Sequence, residues 1–129
     1  MAATYAYWIS TVLVSLLYLT SAITYVTKGA WVRQILSELG YPAYLVPVMI
    51  AVKLLGVAAI LSRFSVALSD LAYAGIFYHL LLSGLAHLGV RKPSGALPAA
   101  VGLALLAASF LTQNAAREVP SPYALTALL

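Results

Sequence analysis

Residues 43–62 read AYLVPVMIAVKLLGVAAILS, and the one charged side chain among these 20 residues is Lys53. A membrane-spanning helix needs about 20 mainly apolar residues, so this stretch predicts a transmembrane helix. A lysine near the middle of such a helix costs at least about 2.5–3.5 kcal/mol to insert. Because it is too far from either end to reach the headgroups, Lys53 must face the interior of a bundle or a water-filled cavity.

Three further stretches are long and apolar enough to cross a bilayer, at about residues 6–27, 66–88 and 96–114. Across the 129 residues, 64% are hydrophobic and 8% are charged, whereas a soluble domain has about 25% charged residues. The sequence therefore predicts an all-α integral membrane four-helix bundle, one domain over 1–129 with a tail at 115–129. The N-terminus lacks the basic segment and cleavage site of a signal peptide, so we expect 6–27 to remain as the first span.

The connection between the first two spans predicts a short amphipathic helix at about residues 30–39. Trp31, Ile35 and Leu36 recur there at helical spacing, with polar residues on the opposite face. Gly40 is a suitable C-terminal cap for this helix. We expect the helix to lie in the membrane interface, and the alternative is a lid over the mouth of the bundle.

The other connections predict the relative direction of the spans and the orientation of the protein in the membrane. The link 63–65 is so short that the second and third spans must be antiparallel neighbours, and Ser65 is the predicted N-cap of the third span. The connections on one side of the membrane hold Lys28, Arg33, Arg91 and Lys92, and those on the other side hold Arg63 and Arg117. The excess of positive charge predicts that the first and third connections are cytoplasmic, with both termini outside.

Several function classes are disfavoured by residues that the chain lacks. It has no cysteine, which excludes disulfides and thiolate chemistry. It has no phosphate-binding glycine loop, no serine–histidine–aspartate pattern, no paired carboxylates and no zinc-ligand spacing, so we expect no metal site and no hydrolase chemistry. The net charge of +4 lies mostly in the connections, which indicates contact with membrane lipid and not with nucleic acid.

His79 on the third span is the predicted partner of Lys53. Asp70 and His79 are nine positions apart and lie on roughly opposite helix faces, so only one of them can readily face Lys53. Depth in an antiparallel helix pair favours His79. Asp70 is expected to stabilise the start of its helix and to pair with Arg63. Lys53 and His79 are also the candidate catalytic residues, as acid or base, and the alternative is a structural polar contact that fixes helix register.

A polar stripe on the first span predicts one wall of a pocket. It is formed at helical spacing by Tyr7, Thr11, Ser15, Tyr18 and Tyr25. Hydroxyls in lipid need partners, so the stripe must face inward, either for hydrogen bonds between helices or to line a ligand site. His87 either meets the headgroups or forms the polar mouth of that site. The candidate pocket comprises Lys53, His79, His87, Tyr18, Ser15 and Thr11.

Small residues predict where the spans pack closely, because they let helix backbones approach one another. The fourth span has a ridge formed by Ala100, Ala104 and Ala108. Gly56 on the second span and Gly75 on the third are further predicted points of close approach.

Short segments in a fixed order resemble the DoxX-like family of small four-helix membrane proteins across roughly residues 7–114. The segments are YWIST at 7–11, LGYP at 39–42, AVKLLG at 51–56, AYAGIF at 72–77 and AHL at 86–88. The sequence departs from the pattern at His79, where relatives more often carry an amide or an acid. The resemblance implies a four-helix membrane fold, and some relatives are membrane subunits tied to oxidoreductases, including thiosulfate:quinone chemistry.

Composition and resemblance together lead to one expected function and two alternatives. We expect a binding or accessory subunit of the bacterial cytoplasmic membrane that holds an apolar small molecule, quinone-like or lipid, and associates with a membrane oxidoreductase. The first alternative is a structural subunit of a larger membrane complex, in contact with other subunits or with copies of itself. The second is a small membrane enzyme that uses Lys53 and His79 as acid or base on an apolar substrate.

Overall fold

The computed structural model describes residues 2–125, and over these residues the secondary structure is entirely helical. The elements are α1 (Ala2–Thr27), α2 (Gly29–Glu38), α3 (Leu45–Ser62), α4 (Val66–Gly89), α5 (Pro93–Thr112) and a 3₁₀ helix (Gln113–Ala116). Four of them, α1, α3, α4 and α5 with its 3₁₀ extension, have the length and hydropathy of membrane spans. The predicted fold class is confirmed, including the short amphipathic helix between the first two spans.

The four long helices form an antiparallel bundle. α1 packs against α3 and α5, and α4 packs against the same two helices, so α1 and α4 face each other across the bundle. The short connections 63–65 and 90–92 require the chain to reverse direction at each step. We call the end where α1 and α4 begin the closed end, and the end that carries α2 the cavity end.

Two helix caps are confirmed. The side chain of Ser65 accepts a hydrogen bond from the backbone N–H of Leu68 at 2.9 Å, which satisfies one free donor at the start of α4. Gly40 has φ +87°, and its N–H donates to Ser37 O while Tyr41 N–H donates to Leu36 O. These two bonds form a Schellman motif, which ends α2 and turns the chain toward α3.

The outer surface of the bundle is apolar. Leu55, Leu71 and Phe64 are 69%, 70% and 83% exposed, an arrangement that is favourable in hydrocarbon and not in water. The long helices therefore contact lipid. The interior core is formed by residues such as Val14 and Leu106, which are almost fully buried.

Gly102 of α5 is a point of close packing between helices. A Cβ atom at this position would lie 3.1 Å from side-chain carbons of Leu17 and Leu80, so a larger residue would require these side chains to shift. The predicted contact at Gly56 is confirmed, because a Cβ there would lie 3.5 Å from Ile76 Cδ1 of α4.

Two of the predicted small-residue contacts are wrong. Nothing in the described part of the chain lies within 4 Å of a Cβ built at Gly75. Ala100 and Ala104 are exposed, so most of the alanine ridge points away from the bundle. Helical spacing identifies a shared face, but it does not tell whether that face meets a helix of the same chain.

Candidate functional site

A cavity of about 510 Å³ lies at the cavity end of the bundle. Residues from all five α-helices line it, and α2 lies across it. Its walls are mainly apolar, with residues such as Leu17, Met49 and Leu80, and its polar lining includes Tyr18 and Lys53. Small-molecule sites typically measure about 300–1,000 Å³ and combine apolar walls with a few polar groups. The cavity has the size and chemistry of such a site.

Lys53 lies deep in this cavity, at the ninth position of the 18-residue α3. It is 3% exposed, and its Nζ lies 5.0 Å from the ring centroid of Tyr18 and 4.8 Å from that of Tyr25. Each ammonium–aromatic contact contributes about 0.5–1 kcal/mol at exposed sites and more when desolvated. Two tyrosines of the neighbouring helix thus offset part of the lost hydration of the ammonium.

Tyr25 is a partner of Lys53 that the sequence analysis did not identify. The available signal is its spacing of seven residues from Tyr18, which places both rings on the same face of α1 after two turns. Both tyrosines belong to the polar stripe of α1, so the stripe gave the right face. It did not show that the ring faces, and not the hydroxyls, would meet the ammonium.

Tyr18 also connects Lys53 to His79. Its hydroxyl and His79 Nδ1 are 2.6 Å apart, and the two rings meet edge to face. This hydrogen bond crosses the bundle from α1 to α4. Among the described residues Lys53 and His79 make no direct hydrogen bond; both contact Tyr18, which lies between the predicted partners.

Among residues 2–125, no acidic side chain lines the cavity. The chain has three acidic residues, and all lie within the described part. Glu38 pairs with Lys92 at 2.5 Å outside the cavity, Asp70 lies at the closed end, and Glu118 is exposed beyond the 3₁₀ helix. Within residues 2–125, no carboxylate and no hydrogen-bond acceptor contacts Lys53 Nζ. The described lining therefore leaves this ammonium without a counter-charge.

His87 lies at the mouth of the cavity. Its ring packs against Gly95 at the start of α5, where no larger residue would fit beside it. Its Nδ1–H donates to Ser83 O at 2.8 Å. His87 and Gly95 also line a second space of about 420 Å³, the outer pocket, which contains Arg91 and Lys92. Glu38 lines the same pocket and is paired with Lys92, so the net positive charge at the mouth comes from Arg91.

α2 covers the cavity on its outer side. Trp31, Ile35 and Leu36 contribute to the lining, so the apolar face of this helix points inward to the cavity. Glu38 at its end is bound to Lys92 at the start of α5. Both the interfacial position and the lid, which the sequence left open, remain compatible with this placement.

Four of the six predicted pocket residues line the cavity: Tyr18, Lys53, His79 and His87. Thr11 and Ser15 do not. Thr11 Oγ1 lies 2.6 Å from Ser109 Oγ, which in turn lies 2.6 Å from the Tyr73 hydroxyl, in a fully buried chain of hydroxyls. Thr11 is thus a contact between helices, the alternative that the sequence allowed for the polar stripe.

A polar network fills the closed end of the bundle. Asp70 accepts hydrogen bonds from Ser121 Oγ at 2.7 Å and from Gln113 Nε2 at 3.3 Å. Asn114 exchanges two hydrogen bonds with the backbone of Ser121, at 2.9 and 2.7 Å. The segment after α5 is thereby folded back onto the start of α4.

Arg63 does not pair with Asp70, so that prediction is wrong. Its guanidinium donates to Ala116 O and lies over the rings of Tyr7 and Trp8, at 5.6 and 5.3 Å from their centroids. The carboxylate of Asp70 is instead occupied by neutral donors from the segment after α5. That segment is irregular, so its side chains could not be placed from helical periodicity.

A model of the DoxX-like family matches residues 9–109. The chain belongs to the DoxX-like family. The match contains all four cavity-lining candidates, from Tyr18 to His87, and it leaves out the segment that closes the other end. No curated protein and no solved structure matches the chain. Family and helices together make this DoxX-like protein an integral membrane protein.

Proposed function

We propose that this DoxX-like protein is a binding or accessory subunit of the bacterial cytoplasmic membrane that holds one apolar small molecule, quinone-like or lipid. The observation that carries the proposal is the 510 Å³ cavity with Lys53 inside it. A polar group in hydrocarbon is costly unless it is paired or used. Lys53 has aromatic neighbours but no hydrogen-bond acceptor among the described residues. A bound ligand would supply the acceptor that helix packing leaves out.

The shape of the site supports a molecule that enters from the lipid or from the mouth. The lining surface is mainly apolar, and Tyr18 contacts both Lys53 and His79 within it. The proposal includes association with a membrane oxidoreductase, which rests on what the family resemblance implies for some relatives. In that setting the subunit would supply or retain a redox partner or a lipid for the complex.

A cavity-filling substitution tests the proposal without changing any charge. Ala86 lines the cavity on α4, and Ala74 lies on the same helix with its side chain exposed. Protein purified in a mild detergent is extracted with organic solvent, and the extract is analysed by mass spectrometry. We expect a stoichiometric apolar molecule in the wild type and in Ala74→Phe, and at least a tenfold smaller amount in Ala86→Phe.

Two outcomes would contradict the proposal. The first is a wild-type extract that contains nothing beyond bulk lipid in its ordinary proportions. The second is equal ligand content in Ala86→Phe and Ala74→Phe, with both variants folded as judged by circular dichroism. Either result would leave the cavity as an empty packing defect.

A structural role in a larger complex is favoured by one separate observation. Ala100 and Ala104 form an exposed small-residue face on α5, of the kind that lets membrane helices associate. Crosslinking in native membranes after Ala100→Cys, in this cysteine-free chain, tests it. A crosslinked species supports a subunit contact at this face, and a purely monomeric product counts against it.

A further inference from the structure

We propose that the cavity selects a single-chain amphiphile with an anionic head group, held with its charge against Lys53 Nζ. The inference rests on the proposed function and narrows it to a chemical class. The head group would be a carboxylate or a phosphate, and the acyl chain would follow the apolar walls. A neutral molecule of the same shape would bind more weakly.

The first argument is the charge balance of the cavity. Lys53 is 3% exposed and has two tyrosine rings beside its Nζ, but aromatic faces are neutral and cannot cancel a charge. The three acidic residues of the chain all lie outside the cavity, and Glu38 is already bound to Lys92. Buried charges are normally paired, so an anion from outside is the group that this site lacks.

The second argument is the direction of the neighbouring hydrogen bond. A phenol is a better hydrogen-bond donor than a neutral imidazole, so we assign the Tyr18 hydroxyl as the donor to His79 Nδ1. The ammonium over the Tyr18 ring withdraws electron density and strengthens this donor. The neutral His79 ring then carries its proton on Nε2. Lys53 and His79 both present donors in this arrangement, which suits a ligand that only accepts.

The third argument is the contrast between the walls and the mouth of the cavity. The walls include leucine, methionine, isoleucine, valine and alanine side chains, which fit an alkyl chain. The outer pocket, which shares His87 and Gly95 with the cavity, contains Arg91 and the ion pair of Lys92 with Glu38, so its net positive charge comes from Arg91. Positive charge at a mouth raises the local concentration of anions and of anionic lipid. A negatively charged amphiphile is attracted at the mouth and neutralised inside.

A quinone is the relevant neutral comparison. Its carbonyl oxygens would accept hydrogen bonds from Lys53 and His79, but they would bring no charge into the cavity. Selection by shape and hydrogen bonding alone would therefore accept a quinone or a fatty alcohol as readily as an acid. If the charge of Lys53 determines binding, acids bind more tightly than either the quinone or the fatty alcohol.

The test uses the full chain in nanodiscs of phosphatidylcholine, whose headgroups carry no net charge. A photoactivatable fatty acid labels the protein, and four competitors of similar length are titrated: oleate, lysophosphatidate, oleyl alcohol and decylubiquinone. We expect one or both anions to compete at concentrations at least tenfold lower than either neutral molecule. Comparison of oleate with lysophosphatidate identifies the head group as a carboxylate or a phosphate.

Three variants test whether the preference for anions depends on Lys53 Nζ. Lys53→Met keeps the length of the side chain and removes the charge, so the advantage of the anions should fall at least tenfold. Lys53→Arg keeps the charge and should keep the preference for anions. Lys92→Met removes a lysine that lies at the mouth and is 52% exposed, so it should change the preference less than threefold.

Equal competition by oleate and oleyl alcohol in the wild type would overturn the inference, and so would an unchanged preference in folded Lys53→Met. If the quinone or the alcohol competes best, the cavity is still a ligand site and only the anionic class is lost. If none of the four competes and the extracted protein holds no molecule, the proposed function fails with it.

Discussion

The two ends of this bundle differ in how an inward-facing charged side chain is paired. At the closed end, Asp70 is matched by Ser121 and Gln113, and farther along the bundle a chain of hydroxyls joins α1, α4 and α5. At the cavity end, the charged group of Lys53 has two aromatic rings and open space. The network around Asp70 therefore holds helices together at the closed end, although Tyr7 OH and Arg63 Nε lie there without a partner among the described residues. The ammonium at the cavity end is left available to a ligand.

This difference separates residues that hold the bundle together from residues that serve a ligand. In the membrane, paired hydroxyls and amides bind helices to one another because no water competes for them. The Lys53 ammonium contacts two tyrosine rings of α1, but these contacts do not fully offset the free energy that its insertion costs. Substitutions at the two ends should therefore change the free energy of unfolding in opposite directions.

The largest loss of stability is expected for Asp70→Ala at the closed end. The substitution leaves Ser121 Oγ and Gln113 Nε2 without their acceptor, and a buried unpaired group costs about 1–3 kcal/mol. Thermal unfolding in detergent, followed by circular dichroism, measures the effect. The control Glu118→Ala removes an exposed acid near the same end and should leave Tm unchanged. Equal Tm values for the two variants would show that the network does not stabilise the bundle.

A smaller loss is expected when the buried chain of hydroxyls is interrupted. Ser109 bridges Thr11 and Tyr73, so Ser109→Ala removes both contacts at once. Hydrogen bonds between membrane helices contribute about 0.6 kcal/mol on average and up to about 1.7. A double-mutant cycle of Ser109→Ala with Tyr73→Phe should give a coupling energy in this range. A coupling of zero would mean that the short distance contributes no free energy.

The smallest effect, with the opposite sign, is expected for Lys53→Met in ligand-free protein. Removing the charge recovers an insertion cost of about 3 kcal/mol and loses two ammonium–aromatic contacts of about 1 kcal/mol each. A net gain of about 1 kcal/mol follows. Steric trapping or denaturant unfolding in detergent would measure it. A clear loss of stability would make Lys53 a structural residue and would remove the contrast between the two ends.

Sequence reasoning succeeded where one local rule decides the outcome. Apolar length identified four spans, and the positions of Ser65 and Gly40 gave two helix ends with their hydrogen bonds. Lys53 was correctly expected to lie inside the bundle, because a central charge has nowhere else to go. In each case the physical constraint acts within one helix or between one helix and the lipid.

The pairing of side chains between helices was beyond the sequence. Helical spacing placed Tyr18 and Tyr25 on the inner face of α1, but the rotation of α1 relative to α3 decides that their rings contact Lys53. The same rotation brings the Tyr18 hydroxyl to His79 across the bundle. Ser121, which contacts Asp70, lies in an irregular segment. Such a segment has no helical periodicity from which the positions of its side chains could be predicted.

The two tryptophans of the chain give each end of the molecule its own natural fluorophore. Trp8 lies under the guanidinium of Arg63 at the closed end, and Trp31 of α2 lines the cavity. With Trp8→Phe, the remaining emission comes from the helix that covers the ligand site. Occupancy of the cavity, and any movement of α2, then becomes visible in an intact membrane without an added label.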